Sequence, residues 1–253
     1  MPAMAWYQKS EKARCSGSNC LSRMSRKTWR SQPMKPDYLP GTPYSLIQPE
    51  GMYHMNSDTE LLGRFLKIRH KDTVLDIGTH TGALLMYAGM HEPSALYGID
   101  LFPEVLEAAS ENLKHAGMHA ELSAVRVQDY QHDPFDVVIS NPPYFRTADP
   151  DLKNEDPIRS AARHESFLPL EDLFLHASRL TRDHGTFFLV HRSERLPELF
   201  RLAEGNHFHP SRMRIAYDHA GGRARTVLLE FRKGTAPQLS IESPAWLDDR
   251  TSF

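Results

Sequence analysis

From Ser57 onward the apolar positions switch between a helical and a strand period, and each switch marks an element. SDTELLGRFLKI (57–68) has apolar residues at 61, 62, 65, 66 and 68, the stripe of an amphipathic helix that closes over a sheet. Ser57 and Glu60 stand at capping-box spacing at its start. TVLDI (73–77) predicts a short strand, GALLMYAGMH (82–91) a helix, and ALYGID (95–100) a second strand. PEVLEAASENLKHAG (103–117) predicts a helix with Pro103 in its first turn and Gly117 at its end. ELSAVRV (121–127) and FDVVIS (135–140) predict two more strands. A polar segment to about Ser166 leads to the helix LEDLFLHASRL (170–180), the strand GTFFLVH (185–191) and a helix near 194–204. SRMRIAYDH (211–219) and ARTVLLEFR (224–232) form a terminal antiparallel hairpin hinged at Gly221 and Gly222. Repeated βα units with apolar strands imply an α/β fold: a mostly parallel, seven-stranded sheet with helices on both faces.

Composition adds limits. A chain of 253 residues, 40% apolar and 25% charged, can bury a full core as one large domain or two small ones. It has no apolar run near the roughly 20 residues that a membrane helix needs. Its first residues lack the apolar stretch of a signal peptide, so the expectation is a cytoplasmic protein without a membrane partner. Cys15 and Cys20 are too few and too peripheral for a disulfide framework or a four-ligand zinc site. His207 and His209 share a strand face but have no acid or cysteine near them in sequence, so no metal is expected. The sequence sets no oligomeric state.

The charge of −2 is unevenly spread. Residues 1–36 hold eight Lys or Arg against one acid, Glu11, and read as a flexible basic tail. Residues 37–158 hold eight bases against nineteen acids, while 159–233 hold thirteen bases, twelve of them Arg, against nine acids. A polyanion would therefore meet the second half or the tail. Residues 234–253, rich in Pro, Ser and Asp, read as a loosely held C-terminal tail.

Chemistry concentrates where strands end. The turn Asp76-Ile77-Gly78-Thr79-His80-Thr81-Gly82 leaves a strand and opens a helix, where backbone N–H groups and the helix dipole favour an anionic group. Asp76 would repel a pyrophosphate but accept from an amino group, which together suggest a zwitterionic ligand; the alternative is a plain βα turn with capping glycines. Asp100 ends the second strand, twenty-two residues after Gly78, where an acid can accept both hydroxyls of a ribose. Asp129, with Tyr130 beside it to cover a ring, is a third acid, placed to accept from the exocyclic amine of an adenine.

The strand FDVVIS runs into Asn141, Pro142, Pro143 and Tyr144. Two consecutive prolines fix two φ angles and discard two donors, so the Asn141 backbone is held still. Its amide oxygen and the Pro142 carbonyl can together accept both protons of one planar NH2 group, aiming the nitrogen lone pair at an electrophile. Tyr144 offers a flat face on which a base can stack.

With DIGTHTG, YGID and SNPPYF in this order and spacing, the chain resembles the class I S-adenosylmethionine-dependent amino-group methyltransferases over roughly residues 44–233. The SLIQPEGMYHMNSDTELLG and ARHESFLPLEDLFLHASRL segments look most like the bacterial tRNA1(Val) adenine N6-methyltransferases. The resemblance implies a Rossmann-like methyltransferase domain over 37–233, S-adenosylmethionine as cofactor and an RNA substrate, with tRNA the expected one. It implies a cofactor set of Asp76, Gly78, Thr79, Gly82, Asp100, Leu101, Asp129, Tyr130 and Asn141, and a catalytic set of Asn141, Pro142, Pro143 and Tyr144. His80 stands where such enzymes commonly have glycine, and its Cβ disfavours positive φ. Asn56-Ser57-Asp58 replaces their usual Gly-Thr-Asp, and no substrate role is assigned there. Cytosine carbon methylation would need a nucleophilic cysteine, which the core lacks. Guanine N2 in rRNA, a protein glutamine amide and an RNA-binding assembly factor on the same fold remain as alternatives.

Overall fold

The computed structural model describes residues 37–49, 54–144, 168–234 and 236–248. The basic tail 1–36, the cysteines in it and most of the polar segment after Tyr144, with Arg163 and His164, lie outside the described residues. Strands β1 (Asp37–Tyr38) and β2 (Ser45–Leu46) pair antiparallel ahead of helix α1 (Ser57–Phe65). There follow β3 (Thr73–Ile77), α2 (Ala83–Gly89), β4 (Ala95–Asp100), α3 (Pro103–His115), β5 (Glu121–Ala124) and β6 (Phe135–Ser140). The second half contributes α4 (Leu170–Leu180), β7 (Thr181–Arg192), α5 (Leu196–Gly205), β8 (Phe208–Tyr217), β9 (Ala224–Lys233), β10 (Ser240–Ile241) and β11 (Ala245–Trp246).

The main sheet runs β10-β8-β9-β7-β6-β3-β4-β5, with β11 also on β8. Strands β3 to β7 are mutually parallel where they pair, and β9 runs antiparallel to both β7 and β8. This is the expected seven-stranded sheet, enlarged by two short strands. Alternation along each strand divides the core in two. Val74, Val137, Ile139, Phe188 and Val190 join α1 and α2, while Leu75, Val138, Phe187 and Leu189 join α4 and α5. Chain order proceeds from β3 outward to β4 and β5, then returns to β6 on the other side of β3. The crevice at the carboxyl ends of β3 and β6 is therefore a topological switch point, where open α/β sheets bind ligands.

Several boundaries follow the local chemistry. Gly117, at φ 70°, ends α3, where Met118 N–H donates to the Leu113 carbonyl at 2.8 Å. The cap of α1 is Asn56 rather than Ser57: Asn56 is extended, and its side chain accepts from Thr59 N–H. Glu60, expected to reach back to the cap, pairs instead with Arg64 at 3.0 Å. Helix α1 lies close on α2, because a Cβ at Gly63 would fall 2.3 Å from the Tyr87 ring. Strand β5 ends at Ala124, short of the expected 121–127, since Asp129 and Tyr130 N–H donate to the Arg126 carbonyl in a turn.

Part of the C-terminal segment pairs with the sheet. Residues 240–241 and 245–246 add parallel strands to β8, and Ala245 is buried in the core. The cause is a buried arginine. Arg212 on β8 donates to Glu230 at 2.8 Å, to Glu242 at 3.0 Å and to the Phe65 carbonyl at 2.6 Å, with its guanidinium 3.7 Å over the Phe65 ring. One side chain thus ties the end of α1 and the C-terminal segment to the sheet.

Breaking a buried pair leaves a charge uncompensated, so Arg212→Met should cost about 3–5 kcal/mol in urea unfolding. Adding Glu230→Leu should recover most of that loss. Equal stability of Arg212→Met and the native chain would contradict the assigned role.

Candidate functional site

A cavity of about 190 Å³ opens at the switch point. Its floor is Ile77, Ile99, Ala83 and Leu84; the turn Gly78–Thr81 and Asp100, Leu101 and Phe102 form one side. Val125 to Gln128 also line it, and Met55, Asn56 and Thr59 line it beside Asn141 to Tyr144.

The turn after β3 is anchored to the end of β4. Gly78 and Thr79 N–H both donate to the Ile99 carbonyl, at 2.9 and 3.0 Å, and His80 N–H donates to Asp100 Oδ2 at 2.9 Å. Gly82 N–H donates to the Thr79 carbonyl at 2.8 Å. The turn is thus not the open row of donors that an anion site would present, since the neighbouring strand occupies three of these four and the turn itself the fourth. Gly78, at φ 78°, has no atom within 4 Å of the place where a Cβ would stand, whereas a Cβ on Gly82 would meet Ala109 at 3.2 Å. Gly78 therefore keeps a cavity wall clear, and Gly82 allows α3 to pack on the turn. His80 does take a positive φ, 48°, at a cost of about 1–2 kcal/mol for a residue with a Cβ. Burial lowers its pKa to about 4, helped by His54, and the ring is neutral at pH 7.

Asp100 reaches the wall with both oxygens engaged by the backbone, Oδ2 by His80 and Oδ1 by Phe102 N–H at 3.1 Å. Burial raises its pKa, against the pull of those donors. Asp76 differs: it is completely buried, is not among the residues that line the cavity, and neither of its oxygens has a hydrogen-bond partner within range among the described residues. Burial raises its pKa to about 7, opposed by the nearby Thr79 hydroxyl and supported by the Asp100 charge. A buried carboxyl without a partner beside a cavity suits a cationic amino group better than any interior contact does.

Two expected residues are displaced. Asp129 is exposed and off the wall, and Tyr130 is buried under β3 and β6, stacked at 6.0 Å on His132. The turn at Arg126 ends the strand alternation and brings Gln128 to the wall in place of Asp129. Gln128 Nε2 donates to Asp172 of α4 at 3.0 Å, which orients its amide.

On the opposite side the amide of Asn141 is held at both ends. Its Nδ2 donates to Thr59 Oγ1 at 2.9 Å, and its Oδ1 accepts from the Tyr144 hydroxyl. The Tyr144 ring meets His191 edge-on at 4.9 Å, and the Arg192 guanidinium lies 5.1 Å over its face. Ser140 Oγ, donating to the Ile77 carbonyl at 2.9 Å, locks the end of β6 to β3. Asn112, fully buried on α3, donates to the Thr81 and Ile47 carbonyls and accepts from Ile47 N–H, so it joins the turn to the chain entering the domain. Thr59, Asn112 and Gln128 were not singled out from the sequence, since each owes its place to partners distant along the chain, and Asn56 was noted only as a departure from the family pattern.

A family model described as methyltransferase small domain matches residues 47–201. The chain is similar, at 30% identity over 184 residues, to a protein of Aeromonas salmonicida named tRNA1(Val) (adenine(37)-N6)-methyltransferase, a match covering 71% of this chain and 77% of that one. A protein of the same name from Bacteroides thetaiotaomicron is 30% identical over 183 residues, covering 70% and 76%. Among solved structures, a T. thermophilus 16S rRNA N2 methyltransferase in complex with AdoMet and guanosine matches with a TM-score of 0.56 at 18% identity, over 79% of this chain and 50% of that one. That last likeness is one of fold.

The Asp76 carboxyl makes stability depend on pH. Its folded pKa lies above the unfolded value, so the native state binds the extra proton between about pH 4 and 7 and loses stability as pH rises through that window. The slope from this group is at most about 1.4 kcal/mol per pH unit. Asp76→Asn should flatten the ligand-free stability profile between pH 4 and 7 and raise stability at pH 7. A profile parallel to that of the native chain would contradict the assignment.

Proposed function

This chain belongs to the methyltransferase small domain family, and from that premise we propose that it transfers a methyl group from S-adenosylmethionine to adenine N6 in tRNA. The reading rests on the Asn141 amide, fixed at the carboxyl end of β6 on the wall of a cavity that also holds the Asp100 carboxylate. The names of the similar proteins support the substrate. A cytoplasmic location suits a tRNA substrate, and no helix among the described residues is long and apolar enough to cross a membrane.

The cavity suits the cofactor part by part. The bare wall at Gly78 and the partnerless Asp76 fit the methionine end, with Thr79 and Gly82 shaping the turn. Asp100 would accept from the ribose hydroxyls, beside Leu101. The adenine ring would lie among Ile99, Val125 and Val127, with the amide oxygen of Gln128 taking the part first assigned to Asp129. The cofactor, when bound, supplies an electrophilic methyl group on a sulfonium.

The rest is the work of this chain's own groups. Asn141 Oδ1 keeps a second lone pair beside the bond from Tyr144, and Pro142, which also lines the cavity, carries a carbonyl acceptor and no N–H donor. Together they accept the two protons of the target amine and hold its lone pair toward the methyl carbon. As the N–C bond forms and the S–C bond breaks, positive charge passes to the amine, where these two acceptors stabilise it before a proton leaves to solvent. Tyr144, with one face toward Arg192, offers the other to the target base once that base has left its stack.

Asn141→Ala should abolish methyl transfer to unmodified tRNA while S-adenosylmethionine binding, measured by calorimetry, largely survives. Asp100→Ala should do the reverse at the cofactor, weakening its binding by about 1.5–3 kcal/mol. Loss of cofactor binding together with turnover in Asn141→Ala would remove the role given to that amide.

A further inference from the structure

The orientation of the Asn141 amide is a structural problem in its own right. The amide is nearly symmetric in shape, and only hydrogen bonding decides which end presents oxygen. Tyr144 cannot decide it, because a phenol can donate to Oδ1 or accept from Nδ2 with equal ease. Thr59 could behave in the same way if its hydroxyl proton were free to turn. Its proton is drawn the other way: Thr59 Oγ1 donates to Asn56 Oδ1 in a long bond of 3.4 Å, and that oxygen is held in place by its cap bond from Thr59 N–H at 3.2 Å. While its one proton points to Asn56, the hydroxyl accepts, and Asn141 turns Nδ2 toward it at 2.9 Å. Oδ1 then faces Tyr144 and the cavity.

We propose that Thr59 is a positioning residue for the transfer reaction: the N-cap of α1 orients the Thr59 hydroxyl, and Thr59 in turn fixes the donor and acceptor ends of the Asn141 amide. The proposal rests on the function given above for Asn141, and it adds a control point in a helix that is 82 residues away along the chain. Thr59 is buried and lies on the cavity wall beside Asn56, so its hydroxyl has no water shell to replace a lost partner. An amide free to flip presents its NH2 group to the target amine half of the time, and donor then meets donor. The lost step is alignment of the amine rather than binding of cofactor or RNA.

The test compares Thr59→Val, which keeps the shape and removes the hydroxyl, with Thr59→Ser, which keeps the hydroxyl. In 15N-resolved NMR of the native protein, one Asn141 side-chain amide proton should be shifted downfield and protected from exchange. Thr59→Val should abolish both signs, and Thr59→Ser should retain them. With tRNA and S-adenosylmethionine, kcat of Thr59→Val should fall by about 10- to 100-fold, the scale of a misaligned reacting group, with both KM values little changed and Thr59→Ser near native. Unchanged Asn141 amide signals in Thr59→Val would overturn the proposal whatever the activity. So would equal loss in Thr59→Val and Thr59→Ser, or a loss confined to KM. If the native protein makes no N6-methyladenosine while the amide signals respond as described, the positioning role stands and the functional reading falls.

Discussion

The seating of α1 across the end of the sheet is the contact on which the site depends. At the start of the helix, Thr226 of β9 donates to the buried Asp58 carboxylate at 2.8 Å; at its end, Arg212 of β8 holds the Phe65 carbonyl at 2.6 Å. Between them Leu61, Leu62 and Phe65 are buried, with the Phe65 ring edge-on to Phe188 of β7 at 6.2 Å. Polar bonds at both ends set the position of the helix along the sheet, which apolar contact alone leaves loosely specified. That position puts Asn56 and Thr59 beside Asn141. The antiparallel strands β8 and β9 contribute no residue to the cavity wall, yet they hold the helix that does.

The two halves of the cavity differ in how they are held. On the side of β3 and β4 the backbone does the work: the turn at Gly78 is tied to Ile99, and Asp100 is tied to the turn and to Phe102. That side is stiff before any ligand arrives, which lowers the ordering cost of binding. On the side of β6 the geometry depends on side chains, through Asn56, Thr59, Asn141 and Tyr144. A polar chain of this kind is specific only while every member is satisfied. Substitutions on the first side should therefore act on affinity, and those on the second on turnover.

Most of the fold was legible in the sequence because its period changes cleanly from strand to helix. The seven strands, the capping proline and glycine of α3 and the terminal hairpin are all local patterns. The short strands β10 and β11 were not legible: two residues carry no period, and their pairing is fixed by Glu242 meeting Arg212, thirty residues away. Asp100 and Asn141, each read from the end of a strand, both line the cavity. Asp129 lies off the cavity wall because alternation stops at a turn, which brings Gln128 to the wall instead. The α1 cap was read one residue late, since Ser57 and Asn56 are both good caps and only the extended backbone at Asn56 decides between them. Thr59 had no local signal, for its meaning lies in a partner far along the chain.

Exocyclic amine selectivity is the central claim, and the identity of the methylated product tests it most directly. Unmodified tRNA, 16S rRNA and a glutamine-containing protein substrate are each incubated with the full chain and S-adenosylmethionine carrying a labelled methyl group, and the products are resolved by mass spectrometry. The account predicts label in N6-methyladenosine from tRNA. Label in N2-methylguanosine or in a glutamine side chain, with none in adenosine, would contradict it.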